Sequence, residues 1–149
     1  MLSHRVERAY ISGGGWRRFP QVENTGGVVE TRDTRKFEFH ANNYGKTPGK
    51  VFQIGWGFCE ASSVPDSEPI YQTKYFDSWI NPGESGLLLD RIDIPANIAH
   101  PAVYGRIYYE TIFGDRFSSG FLYRIPPGPG DSESIAPPNR RYTEERQEN

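Results

Sequence analysis

The chain has 149 residues, with 17 basic and 19 acidic side chains for a formal charge of -2, and it is 36% hydrophobic and 14% aromatic. That length fits one domain with one core, burying about two thirds of its unfolded surface. The near-balanced charge supplies no strong field for nucleic acid or an anionic membrane, and the single cysteine, Cys59, precludes an internal disulfide and a thiolate metal cluster.

Met1 to Glu7 is polar and lacks the apolar stretch of a secretion signal, so the chain is expected either to be cytoplasmic or to begin after a removed segment. Val6 to Ile11 leans towards β structure and reads as a first strand, ending at Ser12 and the run Gly13, Gly14, Gly15, which stops regular structure or permits a bulge. Trp16 to Thr34 reads as irregular and polar, with room for a short strand at Val28 and Val29. Arg35 to Asn42 alternates cleanly, Phe37, Phe39 and Ala41 inward against Lys36, Glu38 and His40 outward, which predicts a strand. Asn43 to Gly49 is a dense turn signal.

Lys50 to Glu60 then places Phe52, Ile54, Trp56 and Phe58 on one face, opposite Gln53, Gly55, Gly57 and Cys59. Two glycines on one side of a strand predict a close neighbour there. A loop from Ala61 to Pro69 leads to a strand over Ile70 to Phe76, and Asn81, Pro82, Gly83 mark a turn. Gly86 to Ile94 reads as a strand whose apolar parity changes between Leu87/Leu89 and Ile92/Ile94, predicting a bulge near Asp90. Pro95 to Pro101 reads as a corner with room for one helical turn.

Residues 103 to 125 carry the clearest signal, a β-hairpin with period-two patterning. An odd-numbered loop centred on Gly114 sets Val103, Ile107 and Tyr109 beside Phe117, Phe121, Tyr123 and Ile125; an even one would mix each apolar set with arginines. The other face, with Tyr104, Arg106, Tyr108, Glu110, Arg116 and Arg124, is expected to meet solvent. From Pro126 the composition becomes rich in proline, glycine and charge and offers almost no apolar surface, so 126–149 reads as a disordered or extended tail and 1–125 as the folded domain.

These signals give about seven strands and no helix long enough to cross between parallel strands, which predicts an all-β, antiparallel, immunoglobulin-like β-sandwich. Its core is expected to gather Phe37, Trp56, Ile107 and Phe121 between two layers, and Tyr104 is placed to brace a corner as a tyrosine does in such sandwiches.

The residues point to no catalytic or metal site. His4, His40 and His100 fall on different elements without a partner at ligand spacing, and no glycine-flanked nucleophile surrounds Ser62, Ser63, Ser118 or Ser119. Gly13 to Gly15 lack the lysine, hydroxyl and helix of a phosphate loop, and Asp90 and Asp93 point to opposite strand faces, which defeats paired acid–base work. Cys59 lacks a base and reads as a small buried hydrophobe. No window approaches the roughly 20 apolar residues of a membrane helix, so no membrane span and no cofactor is expected. The remaining candidate is aromatic surface: Trp16, Trp79, Tyr44, Tyr104 and Tyr108, with Arg106 and Arg124 beside Tyr108, either fill the core or anchor a ligand.

The words Arg8-Ala9-Tyr10, Asn42-Asn43-Tyr44-Gly45-Lys46-Thr47-Pro48 and Tyr108-Tyr109-Glu110-Thr111-Ile112-Phe113-Gly114 resemble a group of uncharacterised bacterial proteins in which similar words recur in the same order, commonly after one or two membrane helices. The resemblance covers most of residues 8 to 124 and implies an immunoglobulin-type soluble domain and a cell-envelope location. It carries no functional residues, and the preceding membrane segment of that group is missing here. Residues and resemblance together predict a non-enzymatic binding or protein-interaction domain, a protein partner being favoured over carbohydrate. A carbohydrate-binding module, a structural or assembly subunit, and a small hydrolase using scattered acids are the alternatives.

Overall fold

The computed structural model describes residues 8–66, 72–126, 132–138 and 140–148, except for the side chains of 18–23 and 30–34. Among these residues, nine strands and one 3-10 turn follow in order: β1 Ile11–Thr25, β2 Val28–Asn43, β3 Gly49–Glu60, β4 Gln72–Ile80, β5 Ser85–Asp93, β6 Pro101–Thr111, β7 Arg116–Arg124, β8 Glu133–Ser134, the turn Arg140–Tyr142 and β9 Glu145–Gln147. A smaller sheet has the order β1-β2-β5; a larger one runs β4-β3-β6-β7, with β8 and β9 both added to β7. Every pairing is antiparallel. The fold is therefore the all-β sandwich that the alternation predicts.

Val6 and Glu7 lie outside the described residues, and β1 begins only at Ile11, then continues through the three glycines that were expected to end it. The glycines absorb an irregularity instead: Gly13 pairs with Ala41 and Trp16 with Phe39, so β1 carries one extra residue there, and Gly15 has φ +98°. The bulge reverses the strand's parity. Ile11 and Trp16, of opposite parity, both reach the interior, at 0% and 1% exposure. Trp16 to Thr34 is not irregular but an antiparallel ribbon, closed by a two-residue turn in which Gly26 and Gly27 both have positive φ, as the tight hairpin turn requires. Pro20 is tolerated because β1 is an edge strand.

Elsewhere the patterning holds with local adjustments. Phe37, Phe39 and Ala41 are fully buried, and β5 carries the expected bulge, Leu89 pairing with Phe39 and Ile92 with Phe37 while Arg91 adopts φ 53°. In β3 a register shift between Val51 and Gln53 turns Phe52 out of the core it was expected to join; Val51 takes the interior place. The hairpin loop has odd parity, Glu110 pairing with Arg116 and Val103 with Tyr123, but this register centres it on Phe113, with Gly114 at φ +87°. Pro95 to Pro101 forms no helix but holds a single hydrogen-bonded turn, Ile98 N donating to Pro95 O at 3.3 Å. The corner is also held by Arg35, which donates to the carbonyls of Pro95 and Ile98, and by Glu60, whose carboxylate accepts from Ala99 N at 2.8 Å and His100 N at 3.0 Å.

One cluster fills the space between the sheets, with Trp16 packed against Phe37, Phe39, Phe58 and Phe121 at ring separations of 5.0–6.3 Å. The four residues expected to meet there, Phe37, Trp56, Ile107 and Phe121, are 0%, 7%, 0% and 2% exposed. A second cluster lies on the outer face of the larger sheet, where Tyr142 packs on Ala102, Tyr104 and Leu122. The hairpin face expected to meet water is thus partly covered, with Arg106 fully buried and Tyr104 at 7%. Its cover is residues 132–138 and 140–148. Composition suggests a tail that buries nothing; one tyrosine and a row of free edge groups on β7 are enough to seat it.

The two exposed-looking tryptophans of the sequence should therefore separate sharply. Trp16→Ala is expected to cost about 3–5 kcal/mol in urea unfolding, whereas Trp79→Ala, on the surface, should stay within about 0.5 kcal/mol. Equal effects would contradict the placement of Trp16.

Candidate functional site

Strand β4 forms one end of the larger sheet, and of its residues only Ile80 is buried. Its alternation is plain: Phe76 and Ile80 turn towards the core, which leaves Tyr75 and Trp79 on the opposite face at 73% and 55% exposure. Register carries this face inward along the sheet, Trp79 lying beside Lys50 on β3, Lys50 beside Glu110 on β6, and Glu110 beside Arg116 on β7. Lys50 Nζ sits 5.9 Å from the Trp79 ring centre and pairs with Asp77 at 3.7 Å and Glu110 at 3.8 Å. The Phe52 ring, turned outward by the β3 bulge, lies 6.3 Å from Tyr108 and under the Arg116 guanidinium at 4.8 Å. The result is an exposed patch of rings braced by cations, next to a strand with one side unpaired among the described residues.

The candidate rings therefore divide. Trp79, Tyr108 and Phe52 share one face of the larger sheet; Trp16 is in the core, Tyr104 is beneath Tyr142, and Tyr44 is exposed at 68% in the turn after β2. Trp16, Trp79 and Tyr108 do not form the shared exposed strip that stacking on a sugar would use. Arg106 and Arg124 do not flank a free ring: Arg106 donates to Ser118 Oγ and to the carbonyls of Arg141 and Glu144, and Arg124 pairs with Glu133 at 2.8 Å. Tyr104 lies so close to Gly57 that a β-carbon at residue 57 would collide with its phenol, which explains the glycine on that face of β3. The corner is braced by Glu60 and Arg35.

Sequence reasoning missed Tyr75 and Phe52. Tyr75 shares parity with Trp79, a signal available in the sequence; the outward turn of Phe52 depends on a bulge whose cause is tertiary.

Two clefts lie near the first bulge. One of about 300 Å³ is lined by Gly14, Gly15, Arg17, His40, Asn42 and Ser85, among others, and one of about 220 Å³ by Ser12, Gly120, Tyr123 and Thr143, among others. Neither is lined by a carboxylate, as the paired acids of a hydrolase would require. His40 Nε2 lies 3.2 Å from Glu38 on its own strand, and no group of three metal-ligating side chains occurs among the described residues. Ser119 Oγ donates to Ile11 O at 2.6 Å and Ser118 Oγ to Glu148, so both hydroxyls serve the fold. Among the described residues no helix is long and apolar enough to cross a membrane.

A row of contacts joins the sheets where β1 meets β7. Besides Ser119, Tyr123 donates its hydroxyl to Gly13 O at 3.0 Å, Ser132 exchanges hydrogen bonds with the Trp16 backbone, and Arg8 pairs with Glu145, which also accepts from the Tyr109 hydroxyl at 2.7 Å. Burial, followed by Glu145, pushes the Tyr109 phenol above its usual range. Comparison of the chain with family models, curated proteins and solved structures gives no match.

Two measurements test this chemistry. Burial, with the Glu60 charge adding to it, raises the Cys59 thiol to about 11, so alkylation at pH 8 should run about a hundredfold slower in the folded chain than in urea; equal rates would mean the thiol is open. The neutral Tyr109 phenol stabilises the fold fully below its unfolded pKa of about 10, and that contribution fades as pH rises above it. Tyr109→Phe should accordingly lose less stability than the wild type between about pH 10 and 11.5, and parallel curves would remove the assignment.

Proposed function

We propose that the chain is a non-enzymatic protein-interaction domain of immunoglobulin type, and that it engages its partner along β4 and the ring-bearing face beside it. The observation that carries this reading is the exposure of Tyr75 and Trp79 on the one long edge strand of the larger sheet that no other strand covers among the described residues. An extended segment added to that edge gains main-chain hydrogen bonds, while large flat rings supply contact area at low entropic cost. Lys50, Glu110 and Arg116 add charges of both signs, which suits a peptide backbone with mixed side chains better than a uniformly charged polymer.

Support for the immunoglobulin-type reading comes from strand order. The set β1-β2-β5 faces β4-β3-β6-β7, and the third strand contributes a buried tryptophan, Trp56, the position such a sandwich gives to its central ring. The chain has no cystine behind that ring; Phe39 and Ile107 fill the interior instead. This reading agrees with the group of bacterial proteins that the sequence resembles.

A carbohydrate-binding role is the weaker alternative, because Trp16 is absent from the surface. An assembly subunit pairing by the same free edge would use the β4 backbone without needing the rings.

The test is capture from lysate with the full chain and with a Tyr75→Ser/Trp79→Ser variant of unchanged circular dichroism and melting temperature. The wild type is expected to retain a protein that the variant loses by at least tenfold. Equal capture by both would overturn the assignment to β4, and retention of a glycan that depends on Trp79 would favour the carbohydrate reading.

A further inference from the structure

Both strands beside His40 carry an extra residue where they pass it. On β1 the pairs Gly13–Ala41 and Trp16–Phe39 enclose one residue more than β2 supplies; on β5 the pairs Leu89–Phe39 and Leu87–His40 leave out Leu88. Bulges of this kind re-aim side chains and gather next to functional sites. The cleft of about 300 Å³ opens here, a volume at the lower end of the range for small-molecule sites. Gly14 and Gly15 line it without side chains. A β-carbon on Gly14 would press to 2.9 Å on the Asn42 carboxamide, and Gly15 holds φ +98°.

The polar groups of this cleft are held in place by the fold. Asn42 donates to the Tyr44 hydroxyl at 2.9 Å and accepts from Ser85 Oγ. Ser132 Oγ accepts from Trp16 N at 2.7 Å while Ser132 N donates to Trp16 O at 2.7 Å, and His40 Nε2 sits 3.2 Å from Glu38. These bonds leave donors over. A carboxamide has two N–H bonds, of which Asn42 gives one to Tyr44, and the Ser132 hydroxyl accepts without giving its own proton to any described residue. Arg17, the register partner of Glu38, stands exposed at the cleft with five N–H groups, more than one carboxylate uses. Ser85 Oγ, whose proton goes to Asn42, is left as an acceptor. Fixed donors beside a guanidinium complement an oxyanion, and an acceptor next to them complements a hydroxyl.

We propose that this cleft binds a small hydroxylated organic oxyanion, a hydroxy acid or a phosphate ester, with its charged group on Arg17, Asn42 and Ser132 and a hydroxyl on Ser85. The site belongs to the smaller sheet, whereas β4 belongs to the larger one, so the two readings stand or fall separately.

The test is titration of the full chain with gluconate, glycerol 3-phosphate, inorganic phosphate and glucose at fixed ionic strength, followed at the backbone amides of Gly14, Gly15 and Ser132. Gluconate, glycerol 3-phosphate or both should give saturating shifts with a Kd of about 1 mM or tighter, and whichever binds identifies the head group. Arg17→Gln should weaken that binding at least tenfold, while Arg140→Gln, exposed on the C-terminal turn, should leave it unchanged. An equal loss in both variants would mean bulk charge attraction and overturn the site, as would the absence of a saturable shift with either organic anion. Glucose binding as tightly as gluconate, or phosphate binding as tightly as the better organic anion, overturns the ligand class. The Tyr75→Ser/Trp79→Ser variant should bind as the wild type does, which separates this result from the β4 reading.

Discussion

The structure depends on how the two sheets are joined along the line where β1 meets β7. A sandwich has apolar inner faces but open sides, and on this side backbone carbonyls of β1 would otherwise face a gap. Ser119 and Tyr123 reach from β7 to the carbonyls of Ile11 and Gly13, Ser132 pairs with Trp16, and Arg8 closes on Glu145. Buried carbonyls left unpaired are costly, so these bonds matter more through the penalty they avoid than through their net strength. They also fix the angle at which the triglycine bulge presents Trp16 to the core.

The same arrangement makes the two edges of the larger sheet unlike each other. At β7 the chain's own C-terminal residues satisfy the edge and cover an arginine that could not be buried without acceptors. At β4 nothing comparable is supplied among the described residues. Lys74, which shares the face of Phe76 and holds its ammonium 5.2 Å from that ring, places a charge on the inner side of the strand, a feature that discourages indiscriminate edge pairing. Recognition at β4 then falls to rings and main chain together rather than to the bare ladder.

Much of the architecture was legible in the sequence because its signals are local. The hairpin parity, the alternation of Phe37, Phe39 and Ala41, the turn at Asn43 to Gly49 and the β5 bulge follow from residue spacing alone, and the structure contains each. What escaped depends on partners distant in the chain. Glycines 13 to 15 look like a stop unless β2 is known to lie opposite, and Phe52 looks like a core residue unless the β6 register is known. Arg106 reads as a surface charge because nothing near it in sequence reveals Glu144 arriving from the other end. Of the candidate rings, Trp79 was legible as exposed only by comparison with its strand neighbours, and Trp16 stayed open between core and surface because the bulge that turns it inward is set by β2.

The pairing of Arg8 with Glu145 brings the beginning and end of the described chain to one place, with mechanical consequences. A pull on the two ends loads that ion pair first and then peels β9 from β7 one hydrogen bond at a time, because an antiparallel strand drawn from its end opens like a zipper. The interior between the sheets is not sheared until the peeling is complete. The C-terminal segment thus acts as a fuse, yielding under low force while the aromatic interior keeps its shape.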